Sequence, residues 1–394
     1  MQFASRLIHN GNEIDKTTGA LSIPIYQAST FQQNDVTQPQ EYDYSRSGNP
    51  TRQALENTIA ILEGGHRGFA FASGMAATSS VLSTFAAGDH LLVCEDVYGG
   101  TYRVITTLFQ RFNLEASFVN ASDHENIRHN IKPNTKAIFL ESPSNPLLKI
   151  IDLRAAAAVV QEYGLSVIVD NTFMSPYFQR PLELGADIVI HSATKFIGGH
   201  SDVVGGLVVA KDPEWSKRIY AAQNCFGAIL GPQDSWLLLR GLKTLKVRLD
   251  FQQKSAHRLA HWLLAQTEVE EVFYPGLICH PGFEIHRQQA DGPGAVLSFK
   301  TRDQATALAF LNSVKLAAVA VSLGGVETII SYPRTMSHAA MPETQRHHLG
   351  ISDNLIRVSV GLEDCGDLIN DFAQALNNKL KPLSSLDKVY NYRL

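Results

Sequence analysis

SVIVDNTFMSP at residues 166–176 and DIVIHSATKFIGGHSD at 187–202 follow one pattern. Each opens on a short apolar run, as a parallel strand buried on both faces does. Each run then ends in residues that carry chemistry. Asp170 closes the first; Ser192, Thr194 and Lys195 follow the second. In a parallel α/β sheet the carboxyl ends of the strands meet at the ligand crevice. Asp170 and Lys195 are therefore expected to face one site from two strands. A lysine amine can form a Schiff base with an aldehyde cofactor. A carboxylate can keep a pyridine nitrogen protonated. Together they suit pyridoxal 5′-phosphate, with the hydroxyls of Ser192 and Thr194 placed to bond its phosphate.

Outward from this stretch the alternation continues. Short apolar runs recur at 68–72, 90–94, 137–140 and 205–209, separated by segments with helical spacing such as 51–63, 101–113 and 152–163. Such alternation predicts an α/β domain with a mostly parallel sheet over 51–248. The last third differs. A helix is expected at 252–266, and strand candidates at 295–299, 328–332 and 355–360 mix with helices at 303–312 and 365–378. This predicts a smaller α+β domain over 249–394. Residues 1–50 are polar and turn-rich and are expected to form an arm.

Three further segments add candidate site residues. FASGMAA at 71–77 places Ser73, Gly74 and Met75 between an apolar run and an Ala-rich helix. A glycine there admits a phosphate to the backbone, and a helix N-terminus offers free N–H groups. Ser73 equally suits a plain N-cap. DVYGGTYR at 96–103 sets Tyr98 at another strand end, where an aromatic ring can stack on a flat cofactor or simply occupy a turn. NLIRVSVGLED at 354–364 places Arg357 within an apolar strand. A buried arginine needs an anion: a substrate carboxylate gripped bidentately, or a nearby acid such as Glu363.

Composition sets outer limits. The 394 residues include 34 Lys+Arg and 38 Asp+Glu, a net charge of −4. A nucleic-acid-binding protein needs a concentrated cationic excess, so that class is disfavoured. Cys94, Cys225, Cys279 and Cys365 form no CxxC and no zinc-spaced cluster. A disulfide scaffold is not expected, and a reducing, cytoplasmic setting fits. The N-terminal MQFASRLIHNGNEID lacks the apolar core of a signal peptide, and the apolar stretch 314–323 is too short for a membrane span. Charged residues make up only 18%, which a large buried subunit interface would explain.

With YSRSGNPTR (44–52), ESPSNP (141–146), LLLRGLKTL (237–245) and SLGGVET (322–328) added, the sequence resembles the Cys/Met-metabolism family of pyridoxal-phosphate enzymes from about residue 5 to 380. That family includes cystathionine γ-lyase, β-lyase and γ-synthase. The resemblance implies the aspartate-aminotransferase-like fold and a homotetramer built from catalytic dimers. It implies that Lys195 is the Schiff-base lysine and proton shuttle, that Asp170 pairs with the pyridine nitrogen, and that Tyr98 stacks on the ring. Gly74, Met75, Ser192 and Thr194 would hold the phosphate, joined by Tyr44 and Arg46 of the neighbouring subunit. Asn145 would lie near the cofactor's phenolic oxygen and the substrate carboxylate, Arg357 and the backbone of Ser322 would bind that carboxylate, and Glu327 and Arg103 would lie nearer the distal end of the substrate. Gly100 stands where methionine γ-lyases typically have cysteine. The expected substrate is a small sulfur amino acid, and the expected reaction is γ-elimination from cystathionine, followed by the β-lyase and γ-synthase alternatives.

Overall fold

The computed structural model describes residues 1–11, 14–339 and 341–376. Seven strands form the larger sheet: β1 (Arg67–Phe71), β2 (His90–Cys94), β3 (Glu115–Val119), β4 (Thr135–Glu141), β5 (Ser166–Asp170), β6 (Ile188–Ser192) and β7 (Gly206–Ala210). Their order is β1-β7-β6-β5-β4-β2-β3. β7 runs antiparallel to both β1 and β6, and the other pairings are parallel. The 205–209 run is thus a strand, but a reversed one. Burial on both faces gives parallel and antiparallel strands the same apolar signature, so periodicity cannot assign its direction. β3 reads EASFV and lies at the sheet edge, partly exposed; it lacks the apolar run that marked its neighbours.

The helices have local causes. Asn49 caps the helix Pro50–Glu63 by accepting from the N–H groups of Thr51 at 3.0 Å and Arg52 at 3.4 Å. Pro50 supplies the first helical φ, and Gly64 ends the helix at φ 74°. Asp152 likewise caps Leu153–Gln161. The amphipathic segment 101–113 is no single helix. It divides into an α-turn Gly99–Arg103, a π-helical stretch Val104–Leu108 and a 3-10 turn Phe109–Phe112, ending at Asn113 with φ 58°. Its β-branched Val104, Ile105, Thr106 and Thr107 are weak helix formers.

Five strands make the second sheet: β8 (Val269–Phe273), β9 (Val296–Thr301), β10 (Ala318–Val319), β11 (Ile329–Ser331) and β12 (Leu355–Ser359), in the order β10-β11-β12-β9-β8. Its core stacks Phe299, Phe310 and Phe372 edge to face, with ring centroids 5.5 and 5.0 Å apart. The helix Leu245–Leu264 joins the two bodies. Leu245 and Leu249 pack in the larger core, while Ala256, Leu259 and Leu263 pack in the smaller one. The chain therefore crosses position 248 within one continuous helix. The last helix runs Cys365–Ala375 with Leu376 at its C-cap; positions 377 and 378 of the expected helix lie outside the described residues. Within 1–50, the helix Phe3–His9 buries Leu7, and regular structure is otherwise sparse among the described residues. Among the described residues, no helix is long and apolar enough to cross a membrane.

Candidate active site

A cavity of about 720 Å³ opens at the carboxyl ends of β2, β4, β5 and β6, where the second sheet meets the first. Ser73, Gly74, Met75, Tyr98, Arg103, Asn145, Asp170, Ser192, Thr194, Lys195, Ser322 and Arg357 all line it. This convergence follows from the sheet: parallel strands deliver their carboxyl ends to one edge.

The lysine stands in the loop after β6. Its Nζ donates to Ser322 Oγ at 2.7 Å. Burial, reinforced by the nearby Arg357 charge, pulls its pKa down to about 8. Gly324, at φ 80°, allows the SLGG turn to lie on the lysine loop, because a Cβ there would sit 2.6 Å from the Phe196 nitrogen.

Asp170 accepts the Thr172 N–H at 3.0 Å, and Thr172 Oγ1 accepts the Ser192 N–H at 2.8 Å. One short chain of bonds thus links the ends of β5 and β6. Burial raises the Asp170 carboxyl above its ordinary range, opposed by the Thr172 bonds. Behind it, His191 Nε2 lies 2.6 Å from Glu63 Oε1, both residues fully buried. Asn171 donates to Glu63 Oε1 and to the Gln179 carbonyl.

Ser73 does act as an N-cap: its Oγ accepts the Ala76 N–H at 3.0 Å. That leaves the first-turn N–H groups of Gly74 and Met75, on the helix Gly74–Leu82, for an incoming anion. A Cβ on Gly74 would meet Ser192 Cβ at 2.8 Å, and one on Gly206 would meet the Ser73 carbonyl at 2.1 Å. The two glycines permit the close approach that forms this cradle. Thr194 Oγ1 bonds both the N–H and the carbonyl of Gly205, so it braces the loop as well as lining the cavity. The Tyr98 ring lies across Gly100, where a Cβ would come within 2.4 Å of it. That leaves no room for a larger residue at 100 with this ring placement.

Arg357 is 3% exposed in the middle of β12. Its Nη1 donates to Asn145 Oδ1 at 2.8 Å and its Nη2 to the Ser322 carbonyl at 2.7 Å. The Glu363 alternative is not realised, because that carboxylate accepts from the N–H and hydroxyl of Thr328. Arg357 Nε is buried without an acceptor among the described residues, and burial lowers the group to about 10. A buried cation held only by neutral acceptors is built for an anion.

Other expected residues lie elsewhere. Tyr44 and Arg46 do not line their own chain's cavity. Arg46 stacks 5.3 Å above the Tyr44 ring and donates to Asn224 Oδ1 at 3.2 Å. Glu327 also lies off the lining; it is exposed and accepts from Ser201 Oγ at 3.1 Å. Sequence reasoning missed Glu141, which lines the cavity and accepts the Tyr98 N–H at 2.9 Å. Its position directly after the apolar run 137–140 was the available signal. His338, read from the sequence as a surface or pocket histidine, is fully buried near Arg357 with its pKa lowered to about 4, chiefly by burial.

The residues fit pyridoxal phosphate: backbone donors in a glycine cradle, a carboxylate, an aromatic ring and a part-neutral amine line one cavity. The fold and this lining define a fold type I pyridoxal-phosphate enzyme. The sequence profile of the Cys/Met metabolism PLP-dependent enzymes matches residues 4–377, and the chain belongs to that family. It is 53% identical to cystathionine beta-lyase MetC of Bacillus subtilis over 380 residues, covering 96% of this chain and 97% of that one. It is 50% identical to the cystathionine gamma-lyase of the same organism, covering 96% and 100%. The crystal structure of cystathionine gamma-lyase from Lactobacillus plantarum, complexed with L-serine, superposes with TM-score 0.94 at 47% identity, covering 96% and 99%. The chain stands with the family's carbon–sulfur lyases.

Proposed function

We propose that this enzyme cleaves L-cystathionine by γ-elimination, consuming water and releasing cysteine, 2-oxobutanoate and ammonia, with some β-elimination and desulfhydrase activity. The observation that carries the reading is the shared contact at Ser322. Its hydroxyl meets the Lys195 amine and its carbonyl meets Arg357. An amino acid whose carboxylate is held by Arg357, Asn145 and the Ser322 backbone presents its Cα near that amine.

Bound pyridoxal phosphate supplies an aldehyde for amines and a ring that accepts the electron pair left at Cα. In this reading Asp170 holds the ring nitrogen, Tyr98 covers the ring, and Gly74, Met75, Ser192 and Thr194 hold the phosphate. Lys195, neutral in a substantial fraction near pH 8, takes the Cα proton and shuttles it onward. Tyr98 can protonate the departing sulfur. Arg103, on the lining, faces the distal end of the substrate; Glu327, off the lining and bonded to Ser201, is assigned to that end by the family resemblance alone.

The position of Tyr44 and Arg46 off their own chain's cavity supports a site completed by a neighbouring subunit, in keeping with the homotetramer of catalytic dimers that the family resemblance implies. In such an assembly residues 1–50 act as the arm, 51–248 as the cofactor domain and 249–394 as the carboxylate-binding domain. A cytoplasmic setting accords with the free cysteines.

A second reading, β-elimination to homocysteine, pyruvate and ammonia, is favoured by the 53% identity to a β-lyase. Incubation with L-cystathionine, followed by thiol and 2-oxo-acid release, tests lyase action. Efficient condensation of an O-acylhomoserine with cysteine, alongside slow cleavage, would assign a γ-synthase instead.

A further inference from the structure

Glu141 ends β4, and the parallel register sets it directly opposite Asp170 at the end of β5. Residues in register on adjacent parallel strands point to the same face, with strands about 4.8 Å apart. Both carboxyls line the same cavity. Glu141 is 5% exposed, and its Oε2 accepts the Tyr98 N–H at 2.9 Å. We propose that Glu141 is a positioning residue of the cofactor pocket, whose carboxyl group fixes the backbone of the ring-covering Tyr98 beside the nitrogen-binding Asp170. The inference rests on the roles given above to Tyr98 and Asp170.

The charge state follows from the surroundings. Asp170 on β5, Cys94 at the end of β2, Asp96 just beyond it, and Arg357 on β12 are the ionisable groups that influence Glu141, while the Tyr98 and Asn145 backbones donate to it. Asp96 has Lys149 at 3.9 Å. Glu141 and Asp170 form no ion pair among the described residues, and Arg357 is bonded to neutral acceptors. Two carboxylates without a cationic partner, side by side on neighbouring strands, disfavour each other's ionisation. A protonated ring nitrogen at Asp170 favours the charge there, which makes Glu141 the more readily protonated of the two. Burial and the Asp170 charge push its carboxyl well above the usual range. A neutral carboxyl still accepts the Tyr98 N–H through its carbonyl oxygen, and so does a glutamine.

The test titrates the apo forms of wild type, Glu141→Gln, Glu141→Ala and Asp170→Ala with pyridoxal phosphate from pH 6.5 to 9. Affinity is read from visible absorption and ring orientation from visible circular dichroism. Glu141→Gln is expected to stay within about threefold of wild type, with the same dichroic band and pH profile. Glu141→Ala should bind about tenfold more weakly, with an altered band. If Glu141→Ala fails to fold, Glu141→Asp, one methylene shorter, replaces it with the same expectation. Wild-type affinity and band in Glu141→Ala would overturn the proposal, and so would a Glu141→Gln defect as large as that of Glu141→Ala. An Asp170→Ala protein that binds like wild type would instead overturn the site assignment beneath it. Weakened binding in Asp170→Ala, with both Glu141 variants unaffected, would overturn this inference alone.

Discussion

Lys195 Nζ and Ser322 Oγ lie 2.7 Å apart, joining the lysine loop of the larger body to the SLGG turn of the smaller one. Ser322 adopts φ 89°, a conformation that L side chains rarely take. The surroundings hold it there, since its carbonyl is bonded by Arg357 and the turn packs on Lys195. One residue thus connects the proposed base to the proposed carboxylate anchor. Ser322→Ala keeps the carbonyl and removes the acceptor for the amine. Steady-state kinetics should show kcat lower by about 3- to 10-fold with KM nearly unchanged. A rise in KM alone would mean that the hydroxyl serves substrate binding.

The Lys195 pKa near 8 predicts a pH dependence. An amine attacks an aldehyde only when neutral, so capture of pyridoxal phosphate by the apo-protein should accelerate as pH rises, with a midpoint near 8. Stopped-flow absorbance from pH 6 to 11 measures this. A midpoint near 10.5 would show an ordinary, hydrated lysine.

Arg357→Lys preserves charge but loses the planar fork that spans Asn145 and Ser322. KM for the amino-acid substrate should rise by about 10- to 100-fold, with a smaller fall in kcat. An unchanged KM would move the carboxylate site elsewhere.

Two buried histidines predict sensitivity to acid. His286 and His338 each have a pKa lowered to about 4, mainly by burial. The unfolded chain binds these protons near pH 6.5 and the folded chain near 4. Their contribution to stability is therefore full above about 6.5 and is lost as pH falls toward 4, by at most ~3 kcal/mol each. Denaturant unfolding of wild type and His286→Gln between pH 7 and 4.5 should give a shallower decline for the variant. Parallel declines would contradict the buried-neutral state.

Much of this was legible because burial and chemistry coincide in the sequence. SVIVD and DIVIHS are apolar until the residue that reaches the crevice, so strand and site announce each other. Arg357 stood out as a charge in an apolar strand. The direction of β7 was not legible, because antiparallel and parallel strands buried on both faces look alike. The break in 101–113 depended on competition between weak helix formers and tertiary packing. Glu141 follows the apolar run 137–140 directly, but its role emerges only from the register that sets it opposite Asp170.

The most direct measurement is the identity of the 2-oxo acid and thiol released from L-cystathionine by the purified holoenzyme, resolved by chromatography, with Lys195→Ala as control. The account predicts 2-oxobutanoate and cysteine as the main pair, and no turnover by the variant. Pyruvate and homocysteine as the main pair, or undiminished turnover by Lys195→Ala, would contradict it.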